Sequence, residues 1–445
     1  MKVHSVQTIA AAAVMGTIVA ACGPSAADQA NPVASHTGLA ISLKTDDVIA
    51  RDQARIRQHP DDWKSVDELA AAYLQKEREV GDPSYYPKVE TLLKQALAHD
   101  PDDADAATSM GLLALARHEF VGALQWGNRA RQLDPAGARP LGIIGDAQIE
   151  LGRYAQTVQT FQTMVDRRPD LSSYARVSYA RELFGDVDGA ISAMKQAVEA
   201  GGPSPENSAY TRVLLANLYF NSGRLAEAEA EHRRALFDDP RYAYALAGLA
   251  RVEAARGHYG PAIERYRQAV ETYPLPDFVI GLGDAYAAAG DQHRAAQTYD
   301  LAAAEQQLYR ANGVDLDAEL ALFDADHRRD LPGALAAARR AIAARPSVRS
   351  ADTLAWTLYQ AGDDAAALAA SSQAIRLGTK DAGMYFHQGM IEARLGQASA
   401  ARADLQTALR VNPYFSVLWS PVARQTLASL NLPPPLTGQG RGGGL

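Results

Sequence analysis

Residues 207–240 read NSAYTRVLLANLYFNSGRLAEAEAEHRRALFDDP, and the 34 residues that follow, 241–274, read RYAYALAGLARVEAARGHYGPAIERYRQAVETYP. The two stretches carry small and helix-ending residues at the same offsets. Ala216 aligns with Ala250, and Pro240 aligns with Pro274. A glycine, Gly223 in the first stretch, separates two runs of helical length, and proline ends the second run because it cannot donate a backbone hydrogen bond. The period therefore predicts a pair of antiparallel helices in each stretch.

The same spacing continues in both directions along the chain. Two further regular copies carry Gly111, Ala123, Ala130 and Pro135, and Gly389, Ala401, Ala408 and Pro413. Weaker copies fill the gaps, so that about nine units span residues 104–415 and an imperfect tenth lies within 63–103. Seven glycines fall where the chain must turn between paired helices, and these are Gly152, Gly185, Gly223, Gly257, Gly290, Gly362 and Gly396. Self-similarity at this period indicates a repeat array in place of separate globular domains.

The offsets resemble those of tetratricopeptide repeat proteins. The resemblance implies an all-α solenoid of helical hairpins, wound as a right-handed superhelix of about nine to ten repeats with a C-terminal capping helix. The expected divisions are a signal peptide at 1–21, a flexible tether at 22–45, N-terminal helices and an imperfect repeat at 46–103, a repeat array at 104–310, a second array at 311–415 after an irregular junction, a capping helix at 416–430 and a disordered tail at 431–445.

Composition excludes several classes of protein. Hydrophobic residues make up 47% of the 445 and charged residues 22%, which are globular proportions and exclude a wholly disordered chain or a polytopic membrane protein. The net charge is −8 and the 44 basic residues form no run, so we expect no nucleic-acid partner. A single cysteine, Cys22, excludes an intramolecular disulfide and a cysteine-based zinc site.

That cysteine ends an N-terminal pattern. Lys2 precedes an apolar run from Ile9 to Ala21, too short for a transmembrane helix, and residues 19–22 read VAAC. The pattern resembles a bacterial lipoprotein signal, which implies that Cys22 becomes the acylated N-terminus and anchors the chain in a membrane. An ordinary cleaved signal with a chance cysteine, or an uncleaved anchor, is the alternative. Gly23 in place of Asp favours the periplasmic face of the outer membrane, if the envelope is Gram-negative.

A ligand groove is expected on the first helices of the repeats, because these line the concave face of such a solenoid. Helical periodicity places one stripe of side chains there. The expected groove residues are Tyr179, Tyr210, Asn217, Tyr244, Arg251, Asp284, Asp352, Trp356 and Tyr359. By position, Asn217 and Arg251 resemble the polar groove residues with which family members hold an extended peptide's backbone or carboxylates. The alternative for the aromatic members is packing between repeats.

Motifs for catalysis are missing from the sequence. Ser192 and Lys195 have the spacing of penicillin-binding enzymes but lack the partner motifs. His327 beside Asp324 and Asp326 is better explained as a polar helix end than as a metal site. We therefore expect no enzyme, no cofactor and no metal. The leading hypothesis is a lipid-anchored scaffold that binds protein or peptide partners in the bacterial cell envelope. The alternative is a component of exopolysaccharide export or secretion assembly that contacts polysaccharide through an aromatic groove, and the oligomeric state stays open.

Overall fold

The computed structural model describes residues 44–201 and 205–430, and every regular element within them is an α-helix. The helices are α1 (Thr45–Gln58), α2 (Trp63–Val80), α3 (Tyr85–His99), α4 (Ala104–Ala116), α5 (Phe120–Leu133), α6 (Arg139–Glu150), α7 (Tyr154–Arg167), α8 (Leu171–Leu183), α9 (Val187–Ala200), α10 (Pro205–Asn221), α11 (Leu225–Asp238), α12 (Ala243–Ala255), α13 (Tyr259–Thr272), α14 (Pro276–Ala288), α15 (Gln292–Ala311), α16 (Asp317–His327), α17 (Leu331–Ala344), α18 (Val348–Ala361), α19 (Asp364–Ala374), α20 (Ala382–Arg394), α21 (Ala398–Val411) and α22 (Trp419–Leu430).

Consecutive helices pair into ten hairpins, from α2/α3 to α20/α21, and each hairpin packs on the next. Helix α1 precedes the first hairpin and α22 follows the last. The prediction of an all-α solenoid with about nine to ten repeats and a C-terminal helix is confirmed. Cys22, the tether up to residue 43 and the tail at 431–445 lie outside the described residues.

Each hairpin turns through one residue with a left-handed backbone. The seven glycines singled out in the sequence have φ between +68° and +91° there, a conformation that glycine adopts without strain. Gly81 serves the first hairpin, where residues 81–84 form a four-residue turn. His118 and Arg328 occupy the same place in the second and eighth hairpins, with φ of +61° and +51°.

Small residues stand where one helix of a pair approaches the other closely. A Cβ atom placed on Gly145 would lie 2.1 Å from the ring of Phe161, and one on Gly283 would lie 2.3 Å from the ring of Tyr299. Ala228, in the second helix of its hairpin, is completely buried. The abundant alanine is therefore a packing requirement of the hairpins as well as a helix former.

The solenoid also closes on itself. The turn of each of the first five hairpins contacts the junction that follows the hairpin five places further along. We call this line of contacts the seam. It consists of Gly81 with Tyr273, Arg117 and His118 with Asp315, Tyr154 with Val348, Leu183 with Thr379, and Phe220 with Asn412. In addition, the hydroxyl of Tyr309, on α15, donates to the Gly81 carbonyl. The first five hairpins thus form one layer, and the last five are stacked on it.

Hydrogen bonds hold the seam together at each level. The Thr379 hydroxyl donates to the Leu183 carbonyl at 2.5 Å, and the Asp315 N–H donates to the Arg117 carbonyl at 2.9 Å. These carbonyls belong to the C-terminal ends of first helices, where backbone acceptors lack partners within the helix. The second layer therefore satisfies acceptors that the first layer leaves open.

Within residues 44–201 and 205–430, no helix combines the length and the apolar character needed to cross a lipid bilayer.

Candidate functional site

The nine residues expected to line a groove all lie on first helices, namely α8, α10, α12, α14 and α18. Only Asn217, Arg251 and Tyr359 are partly exposed. The expectation of a free surface is wrong for the other six, which are buried: Tyr179, Tyr210, Tyr244, Asp284, Asp352 and Trp356. The reason is that these side chains pack against residues of neighbouring helices. Whether any of the nine contacts a ligand stays a prediction.

Trp356 illustrates why the inner surface is filled. Its indole stacks on His387 with centroids 4.3 Å apart and meets Trp419 edge-on at 5.3 Å. The indole N–H groups of Trp356 and Trp419 both donate to Asp326, at 2.8 and 3.1 Å. Packing between repeats, the alternative for the aromatic stripe, therefore describes Trp356. The same holds for Tyr244, whose ring meets Phe278 edge-on at 5.2 Å.

The polar members of the stripe are also engaged within the fold. Asp352 accepts a hydrogen bond from His387 at 2.9 Å, and Tyr179 accepts one from the Arg349 guanidinium at 3.0 Å. Burial is the main cause that raises the pKa of Tyr179, so its hydroxyl stays protonated.

Two of the predicted residues, Arg251 and Asp284, share a cleft of about 60 Å³, the volume of about two water molecules. Both layers of the array contribute to it, together with the segment that follows the last hairpin. The lining residues are Phe220, Arg251, Ala254, Ala255, Tyr266, Asp277, Gly281, Asp284, Ala285, Tyr414 and Val417. We call this the Arg251 cleft.

Arg251 is the dominant charge of the cleft. Its guanidinium lies over the ring of Phe220, 4.1 Å from the centroid. Burial lowers the pKa of Arg251, although an arginine remains charged at neutral pH. Arg251 is therefore a partly exposed cation that stacks on Phe220 and forms no direct ion pair within the described residues, although the charges of Tyr266 and Asp277 act on it.

The neighbouring titratable groups do not neutralise this cation. Burial is the main cause that raises the pKa of Asp277 to about 7. The charge of Glu319 adds to this shift, and the charge of Arg251 opposes it. Burial and then the charge of Arg251 lower the pKa of His232 to about 3, so the imidazole is neutral. Asp284 is held by the Tyr299 hydroxyl at 2.8 Å and by His327 Nε2 at 3.1 Å. The cleft therefore combines the Arg251 cation with two carboxyl groups, that of Asp277, which titrates near neutral pH, and that of Asp284.

The other chemical candidates lie elsewhere. His327 faces Asp284, not its sequence neighbours Asp324 and Asp326, and the described residues contain no group of three side chains that could hold a metal ion. Ser192 and Lys195 are exposed on α9.

Three polar cleft residues escaped the sequence prediction: Tyr266, Asp277 and Tyr414. Tyr266 lies on a second helix. Asp277, in the first turn of α14, occupies the position that Tyr210 and Tyr244 have in their repeats, so the spacing could have indicated it. Tyr414 comes from the far end of the array. No spacing within one repeat could indicate it, because its place depends on how the whole superhelix winds.

The stacked hairpins define the class of protein as a helical-repeat solenoid, an architecture that serves as a protein-interaction scaffold. Three family models described as tetratricopeptide repeat match the chain, one at residues 183–252, one at 90–138 and 249–310, and one at 382–415. The chain therefore contains tetratricopeptide repeats, and its described helices have the fold of a tetratricopeptide repeat solenoid.

Known proteins resemble parts of this chain. Cellulose synthase 1 operon protein C of Komagataeibacter xylinus is 29% identical over 186 residues, which cover 39% of this chain and 14% of the relative's length. The solved structures that resemble it include the APC/C hetero-tetramer Cut9–Hcn1, with a TM-score of 0.34, 12% identity and coverage of 87% of this chain and 93% of that one. MamA has a TM-score of 0.30 and 20% identity, covering 37% and 95%. A thermophilic TPR protein of Thermus thermophilus has a TM-score of 0.35 and 19% identity, covering 50% and 100%.

Proposed function

We propose that this chain is a lipid-anchored scaffold that binds protein or peptide partners in a bacterial cell envelope, and that the Arg251 cleft holds a carboxylate of the partner. The observation that carries the proposal is the Arg251 guanidinium, which stacks on Phe220 in a narrow cleft of a repeat scaffold and forms no direct ion pair with a carboxylate of the described residues. A carboxylate from a partner would supply the missing anion.

The dimensions of the cleft favour a carboxylate group. A space of about 60 Å³ accepts a group of two or three heavy atoms. The planar fork of a guanidinium matches a carboxylate in two parallel hydrogen bonds, and such charge-assisted bonds are stronger in a desolvated site. The rings of Phe220 and Tyr266 supply apolar contact beside the charge.

A titration with hexaglutamate tests the cleft, with hexaglutamine as the neutral probe. We expect Arg251→Gln to weaken hexaglutamate binding at least tenfold, or about 1.4 kcal/mol. The matched control is Arg267→Gln, because Arg267 is an exposed arginine on the neighbouring helix α13. Equal binding of hexaglutamate by the Arg251→Gln variant and the wild type would remove the cleft from the proposal.

The anchoring part of the proposal rests on the resemblance of residues 19–22 to a lipobox. Three acyl chains hold a protein at a membrane stably, whereas one chain binds only marginally. Cys22→Ser should abolish fatty-acid labelling and shift the protein from the membrane fraction to the aqueous one. Ser25→Ala, which leaves the lipobox intact, should change neither readout. If both variants are labelled like the wild type, the chain is anchored in another way or not at all.

A second candidate is a polysaccharide-contacting component of an export system. The relative named for a cellulose synthase operon favours it. The burial of Trp356 leaves Tyr359 as the accessible aromatic residue of the predicted stripe in that region. Titration with cellohexaose, repeated with Tyr359→Ala, separates the two candidates. Saturable binding that depends on Tyr359 would support the polysaccharide candidate, and its absence would leave the peptide scaffold.

A further inference from the structure

The Arg251 cleft contains two carboxyl groups of its own chain beside the cation. Asp277, in the first turn of α14, and Asp284, further along the same helix, both line the space. Asp284 is already held by the Tyr299 hydroxyl and by His327 Nε2. Asp277 is partly exposed, and within the described residues its carboxyl group forms no hydrogen bond and no ion pair. It is therefore the carboxyl group that a ligand in the cleft can meet.

The cleft is too small to keep a bound carboxylate away from Asp277. Its volume of about 60 Å³ holds about two water molecules. A carboxylate that bonds to the Arg251 guanidinium in this space touches the walls, and Asp277 belongs to them. Two ionised carboxylates in one desolvated site repel each other strongly, and this repulsion favours protonation of one of them. A ligand carboxylate therefore competes with the ionised form of Asp277.

A protonated Asp277 would attract the same ligand. A neutral carboxyl group has an O–H donor, which can donate to an oxygen of the partner's carboxylate in a short, charge-assisted hydrogen bond. Tyr266 also lines the cleft, and burial is the main cause that raises the pKa of its hydroxyl, so this group stays protonated as well. Arg251, Tyr266 and protonated Asp277 thus supply donors from three helices to one carboxylate.

Charged groups on the surrounding helices determine when Asp277 is protonated. Burial raises its pKa to about 7, the charge of Glu319 on α16 adds to this shift, and Arg251 on α12 opposes it. Glu319 is itself paired with Arg345 at 2.8 Å and lies 3.9 Å from His118. The other titratable groups around the cleft are His232 on α11, Tyr266 on α13, Asp284 on α14, Tyr299 on α15, His327 on α16 and Tyr414 after α21.

We propose that Asp277 takes up one proton from the solvent when the cleft binds a carboxylate of the partner, so that binding strengthens as the pH falls through neutral. This inference rests on the proposed function of the Arg251 cleft and adds its regulation. The proton resides on the Asp277 carboxyl group and is shared with the bound carboxylate through the hydrogen bond between them. Asp277 thereby makes the affinity of the scaffold for its partner respond to pH.

Titration of the full chain with N-acetyl-hexaglutamate at pH 6 and pH 8 tests the coupling. The acetyl group removes the peptide's amine, which would titrate near ~8, and the glutamate side chains are ionised at both pH values. If ionised Asp277 excludes the ligand, the affinity falls about tenfold for each pH unit above a pKa of about 7. We therefore expect about tenfold weaker binding at pH 8 than at pH 6. Calorimetry in buffers of different ionisation enthalpy should detect the uptake of close to one proton per peptide at pH 8.

Three variants assign the proton to its residue. Asp277→Asn keeps the shape of the side chain and a donor but cannot ionise, so its affinity should change less than twofold between the two pH values, without proton uptake. The matched control is Asp188→Asn, because Asp188 is exposed on α9, and this variant should follow the wild type. His327→Gln removes the imidazole that holds Asp284, and it should keep the tenfold change.

The outcomes separate this inference from the proposed function. If the wild type binds the peptide equally at both pH values in an Arg251-dependent way, the inference is overturned and the proposed function stands. The same holds if His327→Gln removes the pH dependence and Asp277→Asn retains it. If neither the wild type nor Asp277→Asn binds the peptide at either pH, the cleft takes no carboxylate, and both proposals are overturned.

Discussion

The hydroxyl of Tyr154 accepts a hydrogen bond from the backbone N–H of Val348 at 2.7 Å, although 194 positions separate the two residues. Tyr154 begins α7 in the first layer, and Val348 begins α18 in the second. The first N–H groups of a helix have no acceptor within the helix, so the tyrosine caps α18 from a distant repeat. This hydroxyl is thereby one of the hydrogen-bonding groups that join the two layers along the seam.

Removing that hydroxyl should destabilise the protein. Tyr154→Phe leaves a buried N–H of Val348 without an acceptor, which costs about 1–3 kcal/mol in the free energy of unfolding. Tyr259→Phe is the control, because Tyr259 begins α13 at the same place in its hairpin and its hydroxyl bonds to no described residue. Urea denaturation of both variants measures the difference. Equal losses would mean that the Tyr154 contact contributes nothing specific.

Glycines in the two layers should differ in their tolerance of alanine. Gly185 has φ of +75°, and a Cβ placed there would lie 2.4 Å from the Gly378 carbonyl oxygen across the seam. Gly362 has φ of +91° and open space around it. Both variants incur left-handed strain, but Gly185→Ala should lose about 1–3 kcal/mol more, because a backbone atom must move. Thermal unfolding with hydrogen exchange at residues 376–380 tests this, and similar exchange in both variants would contradict it.

The unpaired charge of Arg251 should reduce the stability of the free protein. Arg251→Gln removes a desolvated cation, so we expect the free energy of unfolding to rise by about 1 kcal/mol while hexaglutamate binding falls. Opposite changes in stability and affinity are characteristic of a binding residue. Calorimetric unfolding without ligand provides the measurement. A loss of stability in Arg251→Gln would instead indicate that the contact with Phe220 makes Arg251 structural.

Asp277 should make stability depend on pH. Burial raises its pKa to about 7 in the folded chain, whereas an aspartate in an unfolded chain titrates near ~4. Between about pH 4 and about pH 7 the folded state therefore binds more protons than the unfolded state. The resulting contribution to the free energy of unfolding is complete below about pH 4 and is lost as the pH rises through about 7. Asp277→Asn should flatten the fall in stability across this window, as followed by urea denaturation from acid to neutral pH. The exposed Asp188 supplies the control, Asp188→Asn, whose profile should follow the wild type.

Asp326 should tolerate an isosteric amide but not a hydrocarbon. Burial raises its pKa well above the ordinary value, and two indole N–H groups depend on its oxygen. Asp326→Asn keeps an acceptor and should cost less than about 1 kcal/mol, whereas Asp326→Leu leaves both indoles unpaired and should cost about 2–4 kcal/mol. Denaturation followed by tryptophan fluorescence distinguishes them, and equal costs would show that volume alone matters at this position.

The sequence predicts the local features of the fold because they depend on chemistry within one repeat. Proline after the second helix and glycine in the turn mark the hairpins directly, as at Pro240 and Gly223. His118 shows a limit of the pattern, because it adopts a left-handed backbone at a turn without glycine. Its ring nitrogen forms a hydrogen bond with the Asp315 carbonyl across the seam, and this contact holds the turn.

The candidate site was predicted only in part. Arg251 and Asp284 were placed on the inner face from spacing alone, and they meet in the cleft. The burial of Trp356 and the arrival of Tyr414 could not be foreseen. Both depend on the rotation between neighbouring repeats, which accumulates over several repeats. The residue spacing within a single repeat does not indicate this small angle.

The seam has a consequence for how the chain folds. An open solenoid makes contacts only between neighbouring repeats, so it has low contact order and can unravel one unit at a time from either end. Here the contacts between layers join residues 192 to 228 positions apart. The intervening chain must close into a long loop before these contacts can form, and this requirement slows folding. Once formed, they couple the first repeats to the last, so the array gains the cooperativity of a globular domain.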